Sequence, residues 1–177
     1  MVTIRHVCEK DKDNLFKLAG KIFREEVEIP LLQKALYLCD YELSFIAVEN
    51  NQIIGFTLVC KTMTNVYHPF MTMIPNCYEL AFLGIAPDSQ GRGLGSRLLK
   101  ESINAIFQQT KQFTCWLLVD QINVGAIKMY EKHGFRSWIK INGAIPGMIM
   151  GLSYRRFVKQ PTTITPIKTT LQITAIG

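Results

Sequence analysis

An apolar run from Tyr78 to Ala86 enters the turn Gln90-Gly91-Arg92-Gly93-Leu94-Gly95, and an amphipathic helix leaves it. Leu94, Leu98, Leu99, Ile103, Ile106 and Phe107 recur at helical spacing, so three glycines within five residues sit at a strand-to-helix junction. Glycine there permits positive φ and a close approach of backbone to ligand, and the first N–H groups of the helix have no intrahelical partner. The result is an anion site, to which Arg92 adds a charge that can fork onto phosphate oxygens. A glycine-rich turn also occurs as a plain tight connection, so its surroundings must decide. Two familiar phosphate loops do not fit. A Walker A loop needs Lys-Ser/Thr after its last glycine, where this chain has Ser96-Arg97, and the dinucleotide fingerprint needs G-x-G-x-x-G, where Gly91, Gly93 and Gly95 give G-x-G-x-G.

Gln90, Gly93 and Gly95 do fit Q/R-x-x-G-x-G/A. Beginning 28 residues after Gly95, the residues Asn123, Ala126, Tyr130, Gly134 and Phe135 follow the spacing N-x-x-A-x-x-x-Y-x-x-x-G-F. In order and separation the two motifs together resemble the GNAT superfamily of N-acetyltransferases. The resemblance is closest over about residues 76 to 140, extends over 1 to 75 and stops near 155. It implies acetyl-coenzyme A as cosubstrate and a primary amine as acceptor, joined in a ternary complex. It also implies a pyrophosphate cradle at Gln90, Gly91, Arg92, Gly93, Leu94, Gly95 and Ser96.

At 177 residues the chain is long enough for one full core, and 48% aliphatic and aromatic content excludes a disordered chain. No apolar run approaches the roughly 20 residues that span a bilayer, and Met1 to Arg5 lacks the apolar core of a signal peptide, so the expectation is a cytoplasmic protein. Cys8, Cys39, Cys60, Cys77 and Cys115 are odd in number and contain no C-x-x-C pair, which argues against a disulfide framework or a zinc site and for small buried apolar residues. His6, His68 and His133 have no partner at metal-ligand spacing and read as surface or loop residues; no metal is expected. The net charge of +6 belongs mostly to the C-terminal end: before position 155 sixteen basic residues face fourteen acidic ones, leaving +2. That body lacks the interleaved basic and aromatic residues of a nucleic-acid surface.

Strand patterns fall at Val2–Val7, Ser44–Glu49, Ile53–Lys61, Tyr78–Ala86, Phe113–Asp120, Phe135–Ile141 and Met148–Tyr154. Helical patterns fall at Asp11–Phe23, Glu25–Tyr41, after the glycine turn, and at Asn123–Lys132, and Asn50-Asn51-Gln52 reads as a hairpin turn. This alternation predicts an α/β (mixed α+β) domain over 1–157, a GNAT-like mixed twisted sheet of about seven strands with helices on both faces. Residues 158–177 read as a basic, Thr- and Pro-containing tail that is solvated, packs back on the sheet, or meets a neighbouring subunit in a homodimer.

Acetyl transfer requires a neutral amine, a polarised carbonyl and a protonated leaving thiolate. Glu79, eleven residues before Gln90 and set among Leu80, Ala81, Phe82 and Leu83, is the candidate base, at the position it occupies in the histone-lysine branch of the superfamily. A solvated Glu79, or one paired with a basic residue, would leave the task to water or another carboxylate. The resemblance places a β-bulge in the strand before the glycine turn. It assigns the amides of Leu83 and Ile85 to the thioester oxygen and pantetheine arm, with Gly84 easing the distortion. Tyr130 is the candidate acid, or else a core aromatic, and Asn123 caps its helix, bonds the pantetheine arm, or does both.

The acceptor is the open question. The signature region resembles ribosomal-protein alanine N-acetyltransferases, which carry their base in a W-L-E-V strand where this chain reads Trp116-Leu117-Leu118-Val119. They also join their last two strands by a longer, tyrosine-containing connection than Asn142–Gly147. Acceptor choice is expected from Arg24–Tyr41, Thr62–Asn76 and Asn142–Gly147, the second carrying Tyr67, His68, Phe70, Met71 and Met73. The alternative is a non-catalytic sensor that binds acetyl-coenzyme A and dispenses with base and acid.

Overall fold

The computed structural model describes residues 1–23, 28–61, 77–109, 114–142 and 147–159. Along the chain run β1 (Thr3–His6), a 3-10 turn, α1 (Lys12–Ala19), α2 (Glu28–Leu38), β2 (Phe45–Glu49), β3 (Gln52–Cys60) and β4 (Cys77–Ile85). There follow α3 (Leu94–Gln109), β5 (Thr114–Val119), α4 (Val124–Lys132), β6 (Arg136–Ile141), β7 (Gly147–Ser153) and the short α5 (Tyr154–Phe157). The strands form one seven-stranded sheet in the order β1-β2-β3-β4-β5-β7-β6. Only β4 and β5 run parallel, linked by α3 as a crossover requires.

Each face of the sheet is closed by the helices whose apolar spacing predicts burial. Leu99, Ile103, Ile106 and Phe107 of α3 pack with Tyr130 against Tyr78, Leu80, Cys115, Leu117 and Met150. On the opposite face Leu15 and Leu18 of α1 with Leu32 and Leu36 of α2 cover Ile46, Phe56, Leu58 and Phe82. Each such side chain removed from water contributes about 1.5–3 kcal/mol. A buried hydroxyl pair, Thr57 Oγ1 to Ser102 Oγ at 2.8 Å, fixes α3 on β3. Among the described residues no helix is long and apolar enough to cross a membrane.

Asn50 and Asn51 both have positive φ, 50° and 62°, with Glu49 paired to Gln52. That is the type I′ geometry, and asparagine tolerates it better than any other non-glycine residue. Three expectations need correction. The helices are shorter, α1 ending at Ala19 and α2 at Leu38. Cys8 is exposed, and Cys39 and Cys77 are only partly covered. Beyond β7 the chain turns into α5, whose Phe157 stacks on Phe107 at 4.8 Å, an aromatic contact across 50 residues that local spacing does not reveal.

Arg5 of β1 forks onto Asp11 at 2.7 and 2.8 Å, and the Cys8 amide donates to the same carboxylate at 2.9 Å. The Arg5 hydrogen bond, against the cost of burial, holds the Asp11 carboxyl down at about 2. A depressed pKa contributes stability that is present above the unfolded-state value near ~3.9 and lost as pH falls through the folded one. Asp11→Asn is therefore expected to lower the unfolding temperature at pH 6 and to flatten its fall between pH 4 and 2, read by thermal melts across that range.

Candidate active site

Strand β4 changes partners along its length. It pairs with β5 only at Cys77, Tyr78 and Glu79, whereas its pairing with β3 continues to Ile85. The Ala86 amide donates to the Ile54 carbonyl at 2.9 Å, so strand alternation turns the amides of Gly84 and Phe82 toward β3 and those of Ile85 and Leu83 away from it. Beyond Glu79, β5 no longer meets that side. Leu83 and Ile85 thus present their backbone groups where the two strands part. The bulge lies earlier than expected: Leu58 pairs with Phe82 and Val59 with Leu80, so Ala81 is the extra residue. Gly84 lies beyond it. A Cβ there would stand 3.1–3.3 Å from the side chains of Phe56, Ile22 and Phe23, which would have to shift by a few tenths of an ångström to admit it.

The glycine turn has the backbone that a cradle needs. Gly91 and Gly93 both have φ of 74°, and a Cβ on either would meet nothing within 4 Å, so conformation alone demands glycine at these two positions. The Arg97 amide donates to the Gly93 carbonyl at 3.1 Å, which makes Gly93 the N-cap of α3 and leaves the amides of Leu94, Gly95 and Ser96 in its first turn. Gly95 differs: its φ is ordinary, and its nearest contacts are the Met129 sulfur at 3.4 Å and Leu83 at 3.5 Å. Gln90, exposed at the start of the turn, donates from its Nε2 to the Ile85 carbonyl at 3.3 Å.

Arg92 is placed otherwise than expected. Its guanidinium forks onto Glu49 of β2 with both bonds at 2.8 Å, which holds the Glu49 carboxyl below its ordinary range. The guanidinium expected to fork onto phosphate is thus paired with a carboxylate. Ser96 Oγ lies 2.6 Å from His133 Nε2. His133, expected at the surface, is half-buried, and burial with nearby Lys132 and Lys100 lowers its pKa. The pair ties the first turn of α3 to the end of α4.

Asn123 caps α4, its Oδ1 accepting from the Ala126 amide at 3.1 Å. Tyr130, about two helical turns further on, is 8% exposed and packs edge-on against Phe135 at 5.8 Å; burial pushes its phenol pKa up, so it stays protonated at neutral pH. Glu79 is 5% exposed. Cross-strand partners place it in a row across the sheet: Cys60 on β3, Glu79 on β4, Trp116 on β5, Gly151 on β7 and Arg136 on β6. Leu118, two residues along β5, shares the face of Trp116. Of the acceptor segments, 24–27, 62–76 and 143–146 lie outside the described residues, as do 160–177 of the tail.

The chain matches the acetyltransferase (GNAT) family over residues 12–135. It belongs to that family. Its architecture is shared with solved N-acetyltransferases at low identity, which speaks to fold alone. Arabidopsis thaliana Naa50, in complex with a bisubstrate analogue of coenzyme A, aligns with a TM-score of 0.67 and 20% identity over 86% of this chain and 98% of that one. The Escherichia coli ribosomal-protein-S18-alanine N-acetyltransferase aligns at 0.68 and 21% over 86% and 93%. Thermoplasma acidophilum PaiA N-acetyltransferase, in complex with coenzyme A, aligns at 0.62 and 22% over 87% and 99%. In sequence, mycothiol acetyltransferase of Mycobacterium leprae is 35% identical over 68 residues, 36% of this chain but only 22% of that enzyme. The chain thus has the fold of this family. Sequence reading passed over His133 as a site residue and singled out neither Trp116 nor Trp138. Each gains its neighbours only through strand order or helix docking, with no local motif to mark it.

Proposed function

We propose that this chain is an N-acetyltransferase that passes the acetyl group of acetyl-coenzyme A directly to a primary amine, on a small molecule, a protein lysine or a protein N-terminus, within a ternary complex. The observation that carries this reading is the parting of β4 from β5 beyond Glu79. It opens the amides of Leu83 and Ile85 beside the α3 cradle and next to a buried carboxylate of the same strand. Bound acetyl-coenzyme A supplies an activated thioester carbonyl and a thiolate leaving group.

The chain's residues supply the rest. First-turn amides of α3 and the turn at Gly91 and Gly93 hold the pyrophosphate. Leu83 and Ile85 amides take the charge that develops on the carbonyl oxygen. Glu79, directly or through water, removes the proton that makes the amine a nucleophile, since an alkylamine with pKa near ~10.4 is mostly charged at pH 7. The Tyr130 phenol, kept neutral by burial, donates its proton to the departing sulfur. Attack by the neutral amine forms the C–N bond and collapse breaks the C–S bond; of the two protons the ammonium nitrogen loses, one ends on Glu79 and the other, directly or through water, restores the Tyr130 phenol that protonated the thiolate.

Thiol release measured across small amines, peptide N-termini and lysine peptides tests this reading. Turnover with one class identifies the acceptor; coenzyme A binding without turnover on any class would replace the enzyme by a sensor. The ion pair at the turn gives a further check. Glu49→Gln frees the Arg92 guanidinium for phosphate and is expected to tighten coenzyme A binding about two- to fivefold at low salt. The gain should shrink at about 0.5 M salt, where the Debye length is only a few ångströms.

A further inference from the structure

Two tryptophans flank Gly151 on one face of the sheet. Trp116 is its cross-strand partner on β5, and a Cβ added to Gly151 would fall inside the Trp138 ring, so the Trp138 indole lies directly on the glycine. Glu79 stands on the other side of Trp116, in register with it on β4. The described helices of this face, α1 and α2, pack on Ile46, Phe56, Leu58 and Phe82, not on β5, β7 or β6. Trp138 remains 39% exposed, whereas Trp116 is fully covered. The Trp116 indole nitrogen has no hydrogen-bond partner among the described residues. It packs with Ile149, and with Cys77, Leu118 and Ile141, which are partly buried around it.

A buried donor left without an acceptor is costly and rare in folded proteins. Here it sits one strand from the candidate base, at the row where β4 and β5 part. We propose that Trp116 is a specificity-determining residue whose indole N–H is reserved for an oxygen of the acceptor. The enzyme then prefers amines with a carbonyl on the carbon beside the amine-bearing one, as in an amino-acid amide or a peptide N-terminus. This rests on the N-acetyltransferase reading. With its amine at Glu79, such an acceptor reaches across to Trp116 and sets its side chain toward the Trp138 ring. Leu118 and its neighbours must give way as it enters. A plain alkylamine offers nothing to the indole and leaves its hydrogen bond unmade.

Alaninamide and its hydrocarbon counterpart 3-methyl-2-butylamine separate the two cases. Trp116→Phe keeps an aromatic ring but deletes the donor. It is expected to lower kcat/KM for alaninamide about tenfold more than for the alkylamine, the size of one net hydrogen bond. Equal losses on both amines would overturn the assignment. A second readout needs no variant to fold. The protein has only two tryptophans, hence two indole N–H resonances, and alaninamide added to the coenzyme A complex should displace that of Trp116. A signal that stays in place at every concentration overturns the proposal. A displaced signal with no turnover on any amine keeps the Trp116 contact as a binding determinant and overturns the N-acetyltransferase reading instead.

Discussion

Replacing Glu79 by glutamine is expected to lower turnover by about 10²- to 10⁴-fold, the usual contribution of a positioned general base. Glutamine has nearly the same shape, so the packing of this 5% exposed side chain between Cys60 and Trp116 is kept, and coenzyme A affinity should stay within about twofold. The rest of the row offers no second carboxylate: Trp116 and Gly151 cannot take a proton, and Leu118 stands where a W-L-E-V strand would place one. The deficit should also depend on pH in a particular direction. A free alkylamine loses its own proton near ~10.4, so the base matters most at pH 7 and least as pH rises toward that value. The ratio of wild-type to Glu79→Gln rates, followed from pH 7 to 10, is expected to shrink steadily. A ratio that stays constant would mean that the carboxylate orients the acceptor electrostatically, and a ratio near one throughout would pass proton removal to water.

What the sequence discloses, and what it withholds, follows from the range of the interactions involved. The α3 stripe, the Asn50-Asn51 turn and the positive-φ glycines are local: each is decided by neighbours within a few positions, and each is where periodicity and turn chemistry put it. The strand set is likewise legible, because buried apolar runs bounded by turns leave little choice. Features set by pairing are not. The bulge falls at Ala81 because β3 and β4 accommodate their register there, and nothing in Leu80-Ala81-Phe82 marks the slip. Arg92 finds Glu49, 43 residues away, because β2 lies beside the turn in the folded sheet. Ser96 and His133 meet only once α4 docks on the first turn of α3 through Met129 and Gly95. The tryptophan pair is hidden for the same reason: β7 is inserted between β5 and β6, which puts Gly151 between residues that the chain separates widely.

Gly93→Val is expected to weaken coenzyme A binding by about 10²- to 10³-fold while leaving the rest of the fold in place. Left-handed φ costs an ordinary L-residue about 1–2 kcal/mol, and a β-branched one more, so at 74° the valine backbone relaxes out of that well rather than remain in it. Space is not the obstacle, since a Cβ at Gly93 meets nothing within 4 Å. What is lost is aim. Gly93 is the N-cap of α3, and rotating its peptide swings the first-turn amides away from the anion, forfeiting charge-assisted hydrogen bonds worth about 1.5–3 kcal/mol each. Gly95→Ala is the control: its φ is ordinary, its contacts are at 3.4 Å or beyond, and affinity should hold within about threefold. Titration calorimetry with coenzyme A on both variants distinguishes the accounts. If Gly93→Val binds as tightly as the parent, the backbone of this turn does not hold the pyrophosphate. If Gly95→Ala fails equally, crowding between α3, Met129 and Leu83 outweighs backbone conformation, and the need for glycine at the turn would be a matter of packing.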